Sequence, residues 1–152
     1  MHLAQHLRDQ HVAFETLVHP PAYSAQRRAH YLRLSGKQVV KNVLLKGPVG
    51  YLLAILPATR RIDLARVAAH LGGPVRVARE EEVTQQFANC EWGVTAPLGT
   101  VYGLPTLLDD SLSPDSTLVF ELQFRAESVR LSCRDFEELE HPRRLDLCAQ
   151  EG

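Results

Sequence analysis

The chain has 152 residues, of which 45% are apolar and 23% charged, and a formal net charge of −1. That length can bury a proper hydrophobic core, and the simplest organisation is one soluble domain over residues 1–152. The near-neutral charge excludes a globally basic DNA-coating protein, so any RNA contact must rest on a local patch, and no apolar run approaches the ~20 residues that span a bilayer. The opening "MHLAQHLRDQHVAFETL" lacks the basic start and apolar stretch of a secretory signal. Cys90, Cys133 and Cys148 are odd in number and share no CxxC spacing. They fit free thiols in a reducing cytoplasm better than a disulfide framework or a zinc site.

Leu3, Leu7 and Val12 recur at helical spacing, which predicts a first helix over residues 2–11. "AFETLV" alternates as a short strand and stops at "HPPAY", where two prolines end regular pairing. Ser24 caps a predicted helix over 25–34, closed by Gly36. "QVVKNVLLKG" and "YLLAILP" read as an antiparallel hairpin joined by a longer loop. Asp63 caps "LARVAAHL", with Gly72 and Gly73 beyond its end; "PVRVA" reads as a short strand and "EEEVTQQF" as a short acidic helix. The stretch "NCEWGVTAPLGTVYGLP" is too interrupted by glycine and proline for helix or central strand. "TLLDDSL", "STLVFELQF" and "ESVRLS" supply further strands and turns. Ser132 with Asp135 opens a last helix, "CRDFEEL", and the polar tail from His141 onward is expected to fray. The order of elements gives an α/β fold with a mixed, largely antiparallel sheet.

Lys41 sits inside an otherwise apolar strand, where alternation puts it on the face of Val39, Val43 and Leu45. A buried lysine must lose solvation, pair with an anion or point into a cavity. Two readings stand: a cavity lysine that meets an anionic or carbonyl-bearing ligand, and an inward lysine that guards an edge strand. Further on, Gly93, Pro97 and Gly99 stiffen the loop "GVTAPLG", whose main-chain donors and acceptors cannot all pair within a sheet. Such a loop either presents backbone groups to a ligand or is a plain tight connection.

Taken together, these segments carry a resemblance. "HPP", "SAQ", "VVKNVLL", "YLLAILPATRRIDL" and "FANCEWGVTAPLGTVYGLPTLLDDSL" follow in an order and spacing similar to those of the YbaK family, the prolyl-tRNA-synthetase-associated editing domain, over residues 14–139. The resemblance implies a small α/β domain with a barrel-like core. It implies an aminoacyl-tRNA deacylase that acts in trans on the 3′ acceptor end, removing a small amino acid, possibly from tRNA for proline, with neither metal nor cofactor. Lys41 would be the catalytic side chain. His19, the loop residues Gly93, Val94, Thr95, Ala96, Pro97, Leu98 and Gly99, and Arg125 would form the substrate-binding set. Family members commonly carry glycine and histidine where this chain has Gln123 and Arg125, and Gln123 is expected to narrow the pocket. Arg125 cannot act as a neutral base. An inactive member that binds tRNA or an aminoacyl-nucleotide is the alternative. Trp92 beside the loop either stacks on the terminal adenine or packs at the rim.

Overall fold

The computed structural model describes residues 1–150 as six helices and eight strands in two sheets. The order is α1 (Leu3–Asp9), β1 (Glu15–Val18), α2 (Ala25–Leu32), β2 (Val40–Gly47), β3 (Gly50–Pro57), α3 (Leu64–Leu71) and β4 (Arg76–Val77). It continues with α4 (Glu80–Gln86), α5 (Gly99–Tyr102), β5 (Thr106–Asp109), β6 (Thr117–Glu121), β7 (Glu127–Ser132), α6 (Cys133–Glu140) and β8 (Arg143–Leu145).

The larger sheet runs β4-β2-β3-β5-β8, with β2 antiparallel to β3 and β4 and with β5 parallel to β3 and β8. The smaller sheet, β1-β7-β6, is antiparallel throughout. A parallel bridge between Val39 and Val119 links the two. Neither sheet closes on itself, so the expected barrel is instead a pair of open sheets. The main core forms between them from Leu44, Leu53 and Ile55 of the larger sheet and Leu118, Phe120 and Leu131 of the smaller one. Leu3, Leu7 and Phe136 from α1 and α6 complete it. On the other face of the larger sheet, Leu45, Leu52 and Ala54 pack against Val67 of α3 and against Leu145 and Leu147. Burial on both faces explains why "LLAILP" is a continuous apolar run with no alternation.

Several local expectations hold. Ser24, Asp63 and Ser132 each accept a backbone N–H three residues on, so all three caps work as the sequence implies. Other expectations need correction. Gly47 pairs with Gly50 around Pro48 and Val49, so the β2–β3 connection is a tight two-residue turn and not a longer loop. Helix α2 ends earlier than Gly36, with Arg33 in the left-handed conformation at φ 55°. The glycine-proline stretch contains the single turn α5. Over its described residues, 141–150, the tail is no frayed end: β8 adds an edge strand, Leu147 and Cys148 are buried, and Cys148 bridges to Ile62, while residues 151–152 lie outside the described residues. Its apolar positions were too few to read as a strand alone, and they cover a sheet face whose exposure the sequence cannot show.

Candidate functional site

Strand β2 delivers Lys41 to a cavity of about 300 Å³ whose other walls come from α2, β6 and the loop after α4. Val43 and Leu45, on the same face as Lys41, pack into the cluster under α3, whereas Val40 and Leu44 serve the main core and the side facing the smaller sheet. The alternation read from the sequence is therefore the observed one. Burial pushes the Lys41 ammonium below the ordinary lysine value of 10.5, against a smaller opposing pull from Cys148. Among the described residues Lys41 has neither an ion pair nor a hydrogen bond.

The next residue, Asn42, turns the other way. Its Nδ2 donates to the Thr95 carbonyl at 2.8 Å and to the Glu121 carbonyl at 2.9 Å, which fixes β2, the loop and β6 to one another. Two of the loop's own donors are engaged. Gly93 N–H reaches Thr84 Oγ1 at 3.2 Å and Val94 N–H reaches the Glu91 carbonyl at 3.0 Å. The backbone of Thr95 favours the ionised Glu121 carboxylate and so opposes the rise that burial causes. These bonds hold the loop in shape and leave Lys41 as the cavity's unpaired cation.

Arg28 and Glu121 form the charged floor. Arg28 is 1% exposed, and its Nη2 lies 3.2 Å from Glu121 Oε1. Burial raises the Glu121 carboxyl above its usual range, while Arg28 and Arg125 hold it back. Burial likewise lowers the Arg28 guanidinium, and Glu121 opposes that shift. Arg28 Nε and Asn42 Oδ1 are buried without hydrogen-bond partners. Arg28 and Arg125 face Glu121, and Lys41, without a carboxylate partner, leaves the cavity receptive to an anionic or strongly polarised group.

Arg125 closes one side. Its guanidinium stacks 4.5 Å from the Tyr23 ring centroid, donates to the Trp92 carbonyl at 2.8 Å, and lies 3.6 Å from Glu91. Gly93, at φ 81°, makes this approach feasible, because a Cβ there would sit 2.5 Å from Arg125 Nη2.

Of the residues picked from the sequence, Lys41, Gly93, Thr95 and Arg125 line this one cavity. Val94, Ala96, Pro97, Leu98 and Gly99 are buried behind it; Ala96 and Leu98 belong to the main core. His19 also lies outside the lining. Its Nδ1 faces the Pro20 carbonyl at 2.8 Å and so carries the proton, while Nε2 accepts from Ser128 Oγ at 2.7 Å; the ring pins the end of β1 to β7. Gln123 points away from the cavity as well. Its Oε1 accepts from Leu3 N–H at 3.0 Å, and its Nε2 donates to the Asn89 carbonyl at 2.6 Å and the Met1 carbonyl at 3.1 Å. The expected narrowing by Gln123 is therefore absent.

Sequence reasoning missed Arg28, Asn42 and Glu121. Glu121 carries the same signal that singled out Lys41, a charge inside the apolar run "LVFEL". Among the described residues no three His, Cys, Asp or Glu side chains converge as a metal site, and no helix is long and apolar enough to cross a membrane. A second hollow of about 330 Å³ lies by the β2–β3 turn against Leu71, Leu104 and Arg143, and no candidate site residue reaches it.

The fold and the site define a small α/β domain with a polar, cation-rich cavity between a strand lysine and a rigid loop. The aminoacyl-tRNA editing domain model matches residues 19–139, and the chain belongs to that family. It is 29% identical over 85 residues to a proline–tRNA ligase of Thermosipho melanesiensis, a match covering 55% of this chain and 15% of the ligase. To the proline–tRNA ligase of Kosmotoga olearia it is 25% identical over 103 residues, covering 67% of this chain and 18% of the ligase. The chain thus spans less than a fifth of the length of these curated relatives. Among solved structures, a chain proposed to be a trans-editing enzyme for prolyl tRNA synthetase superposes with a TM-score of 0.83 at 23% identity, covering 97% of this chain and 95% of the other. The hypothetical protein APE2540 superposes with a TM-score of 0.87 at 17% identity, covering 97% and 99%. At these identities the two structures speak to the fold alone.

Proposed function

We propose that this protein is an aminoacyl-tRNA deacylase that acts in trans, hydrolysing the ester between a small amino acid and the terminal ribose of a tRNA. Family membership supports the reaction class. The observation that carries the residue assignment is Lys41, an unpaired, partly desolvated ammonium in a cavity whose rigid wall is the loop at Gly93 and Thr95.

In this reading the aminoacyl end of the tRNA enters between Lys41 and the loop. Water adds to the ester carbonyl, and the negative charge that develops on the carbonyl oxygen is stabilised by the Lys41 ammonium, which is stronger there than in bulk solvent. Collapse of the tetrahedral intermediate breaks the bond to the ribose oxygen, which leaves with a proton; the products are the free amino acid and an intact tRNA end. Asn42 acts as a positioning residue, because it fixes the distance between β2 and the loop. A cavity of about 300 Å³ is at the lower end of the range for small-molecule sites. Size exclusion favours small side chains, with about 1–3 kcal/mol of discrimination per methylene. A tRNA for proline carrying the wrong amino acid is the natural context to test, given the relatives that carry a related segment.

The deciding experiment incubates the protein with alanyl-, seryl- and cysteinyl-tRNA and follows loss of the ester. Turnover on at least one of them, abolished in Lys41→Ala, is the expected result. Tight tRNA binding with no turnover on any would replace this reading with the binding-module alternative, and absence of both would overturn the tRNA assignment.

A further inference from the structure

Two large aromatic side chains at the cavity mouth are turned to solvent: Tyr23 is 76% exposed and Trp92 is 56% exposed. Tyr23 lines the cavity, and Trp92 directly precedes the lining residue Gly93. Arg125 ties the two together, stacked on the Tyr23 ring and hydrogen-bonded to the Trp92 carbonyl. The Trp92 ring takes part in none of the aromatic pairs among the described residues, so no other ring there stacks on it. Holding this arrangement requires glycine at position 93, where any side chain would collide with the Arg125 guanidinium.

We propose that Tyr23, Arg125 and Trp92 form a stacking site for the bases of a single-stranded RNA end, beside the cavity that takes its ester. The inference rests on the deacylase reading for which RNA end is bound, and goes beyond it in assigning the surface that binds. Aromatic faces and guanidinium planes stack on any base, so they hold an unpaired end without reading its sequence. Continuity with the cavity separates RNA from a protein partner as the occupant. In that cavity Arg28 pairs with Glu121 and Arg125 with Glu91 at its rim, which leaves Lys41 as the one cation of the three without a carboxylate partner among the described residues, free to meet a sugar-phosphate chain. Nucleotides leading to an ester bound in the cavity would pass its mouth, which Tyr23 lines and beside which Trp92 lies next in the chain to Gly93.

Trp92 is the only tryptophan, so its fluorescence reports on this rim directly. The protein is titrated with an uncharged RNA hairpin carrying a short single-stranded 3′ end, and with the same hairpin cut blunt. Saturable quenching by the first and not by the second is expected. Tyr23→Phe should keep the affinity, whereas Tyr23→Leu should weaken it roughly 5- to 150-fold, the loss of about one stacked base. Trp92→Phe and Trp92→Leu, read by anisotropy of labelled RNA, should divide in the same way. Equal quenching by the blunt hairpin, or leucine binding as well as phenylalanine at both positions, overturns the stacking site. Because the RNA is uncharged, binding is read without turnover. Stacking without hydrolysis of any charged tRNA would remove the deacylase reading alone, while hydrolysis with overhang-independent binding would remove the stacking site alone.

Discussion

The Asn42 side-chain amide donates to the carbonyls of both Thr95 and Glu121, so the residue after Lys41 sets the width of the cavity that Lys41 enters. Neither carbonyl has a strand partner on that side to replace it. Asn42→Ala is expected to cost about 1–3 kcal/mol of stability, the penalty of leaving buried acceptors unpaired, and to lower deacylation at a temperature where the protein remains folded. Asn42→Asp loses the donors and adds a carboxylate, so it should lose more. Urea denaturation and initial rates on one charged tRNA check both; unchanged rates in a folded Asn42→Asp variant would remove the positioning role.

Lys41 links activity and stability with opposite signs. Burial lowers its pKa from 10.5, so the folded protein releases the proton at a lower pH than the unfolded chain does. Between those two values the unfolded state binds more protons, and stability rises with pH. Activity falls over the same interval, because the cation is being lost. After correction for spontaneous ester hydrolysis, the rate should show an alkaline decline beginning below pH 10.5. Lys41→Arg should abolish that decline, because a guanidinium stays charged. Lys41→Ala should lose roughly 100- to 1,000-fold in rate. Lys41→Met is expected to be more stable than the parent protein at pH 7, as a desolvated charge has been removed. A Lys41→Met protein that is both less stable and active would contradict each part of this account.

Arg28 and Glu121 are a buried pair, with side chains 2% and 17% exposed. Removing the cation strands a carboxylate whose pKa burial already raises. Arg28→Met should therefore cost about 3–5 kcal/mol at neutral pH. Its pH profile should differ from that of an ordinary acid-labile protein. A carboxyl with a raised folded-state pKa favours the folded state below that pKa, so the variant should regain stability as pH falls toward about 4.5. The double variant Arg28→Met, Glu121→Leu should recover much of the loss at pH 7, since no unpaired charge remains. Denaturation curves at several pH values test this.

Much of this was legible in the chain, and the reason differs by element. The helix starts at Ser24, Asp63 and Ser132 are local chemistry, a side-chain oxygen facing an N–H three residues on. Lys41 stood out because a charge inside a buried strand has few structural uses. What failed was non-local. The C-terminal segment looks polar by composition, yet Leu145, Leu147 and Cys148 are buried because a sheet face needs covering there. Arg28 is buried because Glu121, 93 residues away, meets it. The loop reads as rigid in the sequence, but the side chains that hold it, Thr84 on Gly93 N–H and Asn42 on the Thr95 carbonyl, come from elements that sequence spacing cannot relate to it.

Gln123 offers the clearest test of whether a departure from the family pattern alters the site. Read from the sequence, its bulk narrows the pocket. The structure leads to a different expectation. Gln123 is 5% exposed and spends its amide on Leu3 N–H and on the carbonyls of Met1 and Asn89, joining α1 to the segment that enters the loop. None of these partners lines the cavity. Gln123→Gly should therefore lose about 2–4 kcal/mol, from three unmade hydrogen bonds and the added backbone freedom of glycine. The ranking of alanyl-, seryl- and cysteinyl-tRNA should not change. Thermal denaturation measures the first effect and competition among the three substrates measures the second. A reordered preference with no loss of stability would mean that residue 123 reaches the substrate, and that the wall of the cavity has been assigned to the wrong strand end.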